Sequence, residues 1–128
     1  AGIICYGAYV RFFEIAETEL FRAAGMPYGK VFDRFDLWLP RRALHFEFLA
    51  PAFLDDPLEV AIRVGRVGRT SLRLDFEVVR DDAARERTAR GHVTLVAIDR
   101  RQLRPLPLPA AFVEALRPYT IAVEEPHR

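Results

Sequence analysis

The sequence predicts an α+β protein, with one long amphipathic helix followed by a run of antiparallel strands. Three observations carry this. Ala8 to Ala24 contains no proline or glycine and keeps its apolar residues on one arc when wound at about 100° per residue. Three later segments alternate apolar and polar residues with the period of two that puts one face of a strand on a core, and a fourth, Thr88 to Ile98, has apolar residues on both faces. The strands follow one another without long helices between them, which excludes an alternating β-α-β order. The chain of 128 residues reads as one domain, 1–128.

On the helix, Tyr9, Val10, Phe12, Phe13, Ala16, Leu20, Phe21, Ala23 and Ala24 occupy the apolar arc. Arg11, Glu14, Thr18 and Arg22 occupy the opposite side. So wide an arc predicts a helix cradled by a sheet. Glu17 falls inside the arc, between Val10 and Phe13, and is the anomaly. Gly25-Met26-Pro27 supplies a glycine stop followed by proline. The rest reads as strands: Leu44 to Phe48, Leu58 to Val64, Ser71 to Val79 and Thr88 to Ile98. Gly65 to Gly68 marks a turn or bulge, and Asp81-Asp82 a hairpin turn between the third and fourth of these strands. Arg104-Pro105-Leu106-Pro107-Leu108-Pro109 is extended by its prolines, and Ala110 to Leu116 makes a short helix. The long helix needs sheet on its apolar side. A further strand before Ala1 is its expected partner.

Composition narrows the function. Apolar residues are 51% and charged residues 29%, a globular mix that leaves no room for disorder or low complexity. A lone cysteine, Cys5, makes no internal disulfide, and His45, His92 and His127 are too scattered for a metal-ligand motif, so no metal is expected. Apolar runs are far shorter than the roughly 20 residues that span a bilayer, and no membrane partner is expected. The net charge of +1 argues against a nucleic-acid partner. The expectation is a soluble cytoplasmic protein. Lys30 is the only lysine among 19 basic residues. Codon usage in a GC-rich genome explains this arginine excess; bidentate phosphate recognition is the functional alternative.

Few residues suggest chemistry by themselves. No nucleophile elbow, phosphate loop or dinucleotide fingerprint is present. The uncharged lead Gly2-Ile3-Ile4-Cys5-Tyr6-Gly7 opens a long helix, whose free N–H groups and positive dipole end suit an oxyanion. Gly65-Arg66-Val67-Gly68-Arg69-Thr70-Ser71 sets arginines and hydroxyls beside glycines, a phosphate-holding composition or a solvated corner. Glu17 is either a buried acid or base, or the partner of an arginine. Trp38-Leu39-Pro40 either lines an apolar ligand pocket or packs in the ordinary way.

The stretch from Ala1 to Glu14 (Ala-Gly-Ile-Ile-Cys-Tyr-Gly-Ala-Tyr-Val-Arg-Phe-Phe-Glu) resembles the signature of the hotdog-fold acyl-CoA thioesterases, in particular the 4-hydroxybenzoyl-CoA thioesterase branch. The resemblance continues in Leu39-Pro40, Ala50-Pro51-Ala52 through Asp55-Asp56, Gly68-Arg69-Thr70-Ser71-Leu72 and the proline run. A neighbouring bacterial thioesterase group has Gly-His-Val where this chain has Gly2-Ile3-Ile4, so the aryl-CoA branch matches better.

The resemblance implies a hotdog fold, a long central helix wrapped by an antiparallel sheet. It implies a homodimer or homotetramer with active sites between subunits, and hydrolysis of an acyl-CoA, aromatic by branch. No cofactor beyond the coenzyme A of the substrate is implied. The position matching the family's oxyanion-holding amide is Tyr6. The nucleotide-binding positions are Arg69, Thr70 and Ser71, with Arg66 in reserve because Thr70 stands where a second basic residue is common. Gly2, Trp38, Leu39 and Pro40 match segments that approach the substrate. The family's catalytic aspartate sits two residues before the Ala-Gly pair, ahead of Ala1. Glu17 is the fallback carboxylate within the chain. An acyl-carrier-protein thioesterase and a non-catalytic acyl-CoA-binding module are the alternatives.

Overall fold

The computed structural model describes residues 6–53 and 55–120. Helix α1 runs Tyr6–Ala23 and α2 runs Tyr28–Phe35. Six strands follow: β1 Leu37–Trp38, β2 Arg41–Phe48, β3 Leu58–Val67, β4 Ser71–Arg80, β5 Arg87–Val96 and β6 Ile98–Asp99. Helix α3, Ala110–Leu116, and a single tight turn, Arg117–Tyr119, come last. The large sheet is antiparallel in the order β2-β5-β4-β3, and β1 pairs with β6 in a separate ribbon. This is the α+β arrangement expected, a long helix lying on an antiparallel sheet.

The apolar arc of α1 explains its seat. Tyr9, Phe13, Leu20 and Phe21 are buried, while Arg11, Glu14, Thr18 and Arg22 face out. The inward residues of β4 are Leu72, Leu74, Phe76 and Val78, all buried. Phe13 meets Phe76 with ring centroids 5.2 Å apart. On β5, Gly91 leaves the room that the Phe76 ring and the neighbouring strand occupy. A Cβ there would stand 2.1 Å from the His45 carbonyl oxygen.

The helix stops as the sequence predicts. Gly25 takes φ +79°, the Met26 N–H donates to the Phe21 carbonyl at 2.8 Å, and the Gly25 N–H to Arg22 at 3.0 Å. That pair of bonds is a Schellman cap, and Met26 is buried beside it.

Three details differ from expectation. Residues 28–35 form a helix, not strand or loop: Tyr28, Val31, Phe32 and Phe35 stand at helical spacing and pack on Phe21, Trp38 and Phe112. The strand expected from Thr88 to Ile98 is two strands, because Ala97 leaves the large sheet to donate to the Thr70 carbonyl, and Ile98–Asp99 then pairs with β1. The turn after β4 is longer than Asp81-Asp82. It spans 81–86, is closed by Arg80 N–H to the Glu86 carbonyl, and holds Arg85 at φ +49°.

Among the described residues, both outer strands of the large sheet have an open side. Beside β3, among the described residues, only the bridge from Val64 to Thr120 is made. Next to it an apolar groove of about 580 Å³ lies between α1 and β3, walled by Phe12, Ile15, Leu20, Val60 and Ile62. Beside β2, Leu44, Phe48 and Leu49 are exposed.

Candidate active site

The expected site residues fall at two ends of the sheet. Register fixes this. Phe48 pairs with Ala89, and Ala89 with Val78. Tyr9, one turn into α1, stacks on Phe48 with centroids 5.4 Å apart. The start of α1 therefore sits at the Phe48 end. Arg41 pairs with Leu95, and Leu95 with Leu72. Arg66, Arg69, Thr70 and Ser71 cluster at this second end, six strand residues or about 20 Å away.

At the first end, Tyr6 is the first residue of α1, so its backbone N–H has no partner within the helix. The first turn carries no acidic side chain, and no described residue lies within 4 Å of where a Gly7 Cβ would stand. The helix dipole adds positive potential there. Gly2 and the lead 1–5 lie outside the described residues.

The second end is built by connections that hold one another. Ala97 donates to the Thr70 carbonyl at 2.9 Å, Leu108 to the Arg69 carbonyl at 2.9 Å and Val96 to the Pro40 carbonyl at 3.0 Å. The proline run thereby clamps the Arg69 turn, and Leu39-Pro40 lies beside it. Leu39 is buried and packs in the core. Trp38 is 41% exposed, lies against Phe32, and carries the Arg100 guanidinium over its ring at 5.1 Å. The structure thus brings Trp38, Leu39, Pro40, Arg66, Arg69, Thr70 and Ser71 to one end of the sheet and leaves Tyr6 at the other.

Glu17 lies toward the second end, against Arg41 of β2 and away from its own chain's Tyr6. It lies eleven residues along α1 from Tyr6, about 16 Å. It is buried, and both its oxygens are engaged by Arg41: Nη2 donates to Oε1 at 2.6 Å and Nη1 to Oε2 at 3.1 Å. This is the arginine-paired alternative considered for Glu17, and the carboxylate does not reach the Tyr6 amide of its own chain. Burial pushes its pKa above the ordinary 4.5, against the opposing hydrogen bond and charge of Arg41. A carboxyl raised in the folded state stabilises the fold most below about pH 4.5 and loses that contribution as pH rises through the folded value. Glu17→Gln is therefore expected to gain on the wild type as pH climbs. The melting-temperature difference, variant minus wild type, should be more positive at pH 7 than at pH 4; a flat or falling difference contradicts the assignment.

Among the described residues no group of His, Cys, Asp and Glu could hold a metal ion, and no helix is long and apolar enough to cross a membrane.

A long helix lying on an antiparallel sheet is the build of the hotdog fold. The chain belongs to the thioesterase-like superfamily, whose model matches residues 1–116. A candidate esterase of Aquifex aeolicus (strain VF5) is 31% identical over 83 residues, 65% of this chain and 64% of that protein, so the match spans under two thirds of that relative's length. The acyl-CoA thioester hydrolase YbgC of Escherichia coli O6:H1 is 28% identical over 112 residues, covering 88% of this chain and 81% of the relative. Among solved structures, Slr0204, a 1,4-dihydroxy-2-naphthoyl-CoA thioesterase from Synechocystis, superposes with a TM-score of 0.82 at 19% identity, covering 91% of this chain and 84% of that one. It shares the fold.

Proposed function

We propose that this protein hydrolyses acyl-CoA thioesters, with an aromatic acyl group preferred, at sites formed between two copies of the chain. The observation that carries the reading is the start of α1 at Tyr6, at the end of the lead that resembles the thioesterase signature. In hydrolysis the thioester carbonyl oxygen gains negative charge as water or a carboxylate adds to its carbon, and the C–S bond then breaks to release coenzyme A thiolate, which takes up a proton; where a carboxylate adds, water then hydrolyses the resulting anhydride to free acid and restores the carboxylate. The Tyr6 N–H and the helix dipole would hold that oxygen. The attacking or water-activating carboxylate is the one the family resemblance places two residues ahead of Ala1. Arg69, Thr70 and Ser71 would bind the nucleotide, with Trp38 and Pro40 beside the acyl path. No metal or redox cofactor enters this scheme.

The distance of about 20 Å between the two ends argues for two subunits. Strand β2 is an outer strand with exposed apolar side chains. Pairing two β2 strands antiparallel about a two-fold axis sets the Phe48 end of one subunit against the Arg41 end of its partner. Each Tyr6 amide then faces the partner's Arg69 turn.

Thiol release from benzoyl-CoA, 4-hydroxybenzoyl-CoA, short aliphatic CoA esters and the matching acyl carrier protein tests the reading. The aryl-CoA esters should give the highest kcat/KM. No release from any substrate sinks it, and faster turnover of the carrier protein replaces it with an acyl-carrier-protein thioesterase.

A further inference from the structure

The outward face of the sheet, away from α1, carries a second feature at the Arg69 end. Among the described residues nine arginines, Arg80, Arg90 and Arg117 among them, are ion-paired with carboxylates. Arg42 and Arg66 have no carboxylate partner among the described residues. Both stand with Arg73 around a pocket of about 260 Å³, completed by Ser71, His92 and Thr94. No carboxylate lines it.

The register puts these residues together. Arg66, Arg73 and Thr94 lie in one row across β3, β4 and β5. Irregularities re-aim the outer two arginines, one between Arg41 and Ala43 on β2 and one between Val64 and Arg66 on β3. Gly65, inside the second, lets the Asp75 carboxylate approach the backbone: a Cβ there would stand 2.2 Å from it, so Asp75 would have to shift. Asp75 in turn holds Arg73 through Nε at 2.9 Å and Nη2 at 3.3 Å, and Nη1 has no protein hydrogen bond among the described residues. The buried Nδ1 of His92 also has no hydrogen-bond partner. His92 lines this pocket, which puts its imidazole within reach of a ligand there.

We propose that this pocket holds a phosphomonoester, the 3′-phosphate of the coenzyme A nucleotide. The proposal rests on the acyl-CoA reading above and adds residues to it: Arg42, Arg73, His92 and Thr94, which nothing in the signature singles out. Guanidinium forks bind a phosphate dianion bidentately, and the two hydroxyls and the imidazole complete its shell. Ser71 links the pocket to the Arg69 turn, so one nucleotide can touch both.

The test compares acyl-CoA with acyl-3′-dephospho-CoA, and titrates the full chain calorimetrically with adenosine 3′,5′-bisphosphate and with inorganic phosphate. Charge-assisted contacts of this kind predict about a tenfold or greater preference in kcat/KM for the phosphorylated ester. The double variant Arg42→Ala/Arg66→Ala, which breaks no ion pair among the described residues, should bring the ratio close to one and weaken bisphosphate binding by a similar factor. Hydrolysis with an unchanged ratio overturns the pocket and leaves the thioesterase reading standing. Bisphosphate binding that the variant loses, in a protein that hydrolyses neither ester, supports the pocket and sinks the thioesterase reading. Inorganic phosphate binding as tightly as the bisphosphate overturns the coenzyme A assignment in favour of a free-phosphate site.

Discussion

Tyr6→Pro is expected to lower kcat by about 10²–10³ relative to Tyr6→Ala, the range seen when one oxyanion donor is removed. The comparison isolates one hydrogen. Both substitutions delete the phenol, and only proline deletes the backbone N–H. Proline is tolerated in the first helical position, where its fixed φ suits the helix and the missing N–H has no intrahelical partner. Tyr6 occupies that position in α1. The fold should therefore survive, which thermal melting checks. A contact made only in the transition state lowers kcat and kcat/KM together and leaves KM nearly unchanged. Equal rates for the two variants would remove the Tyr6 amide from the chemistry.

The sequence disclosed the parts of this molecule whose signal is local. The arc from Tyr9 to Ala24 dictated α1, and Gly25 dictated its stop, because both depend on residues within a few positions of one another. Helix α2 was equally local, with Tyr28, Val31, Phe32 and Phe35 on one stripe. It was hidden by its brevity and by Pro27 and Gly29, residue types that interrupt helices. The division of β5 from β6 left no trace, since apolar residues run through Ala97 without a break and both faces there are covered. The partner of Glu17 lies 24 residues away on another strand. Nothing around either residue names the other. The same holds for the site: resemblance supplied Tyr6 and the Arg69 turn as members of one site, while only register shows them at opposite ends of one sheet. The outward arginine pocket was invisible for that reason too. Arg66, Arg73 and Thr94 become neighbours only once three strands are aligned.

That separation leads to the second large effect. If each site takes its amide from one subunit and its arginines from the partner, two crippled variants should rescue each other. Tyr6→Pro keeps an intact Arg69 turn, and Arg69→Ala keeps an intact helix start. The loss in Arg69→Ala is chiefly in substrate binding, so the assay is run well below KM, where kcat/KM governs the rate. In a hybrid dimer one of the two sites receives both intact halves and the other receives both damaged ones. Random exchange makes half the dimers hybrid, so a mixed, unfolded and refolded sample should recover about a quarter of wild-type activity, as an isologous two-fold interface requires. Neither variant refolded alone should approach this. Native mass measurement establishes that hybrids have formed. Hybrids present in the expected proportion, with activity no higher than the mean of the two variants, would place the whole site within one chain. The β2 edge, with Leu44, Phe48 and Leu49 exposed, would then need another explanation.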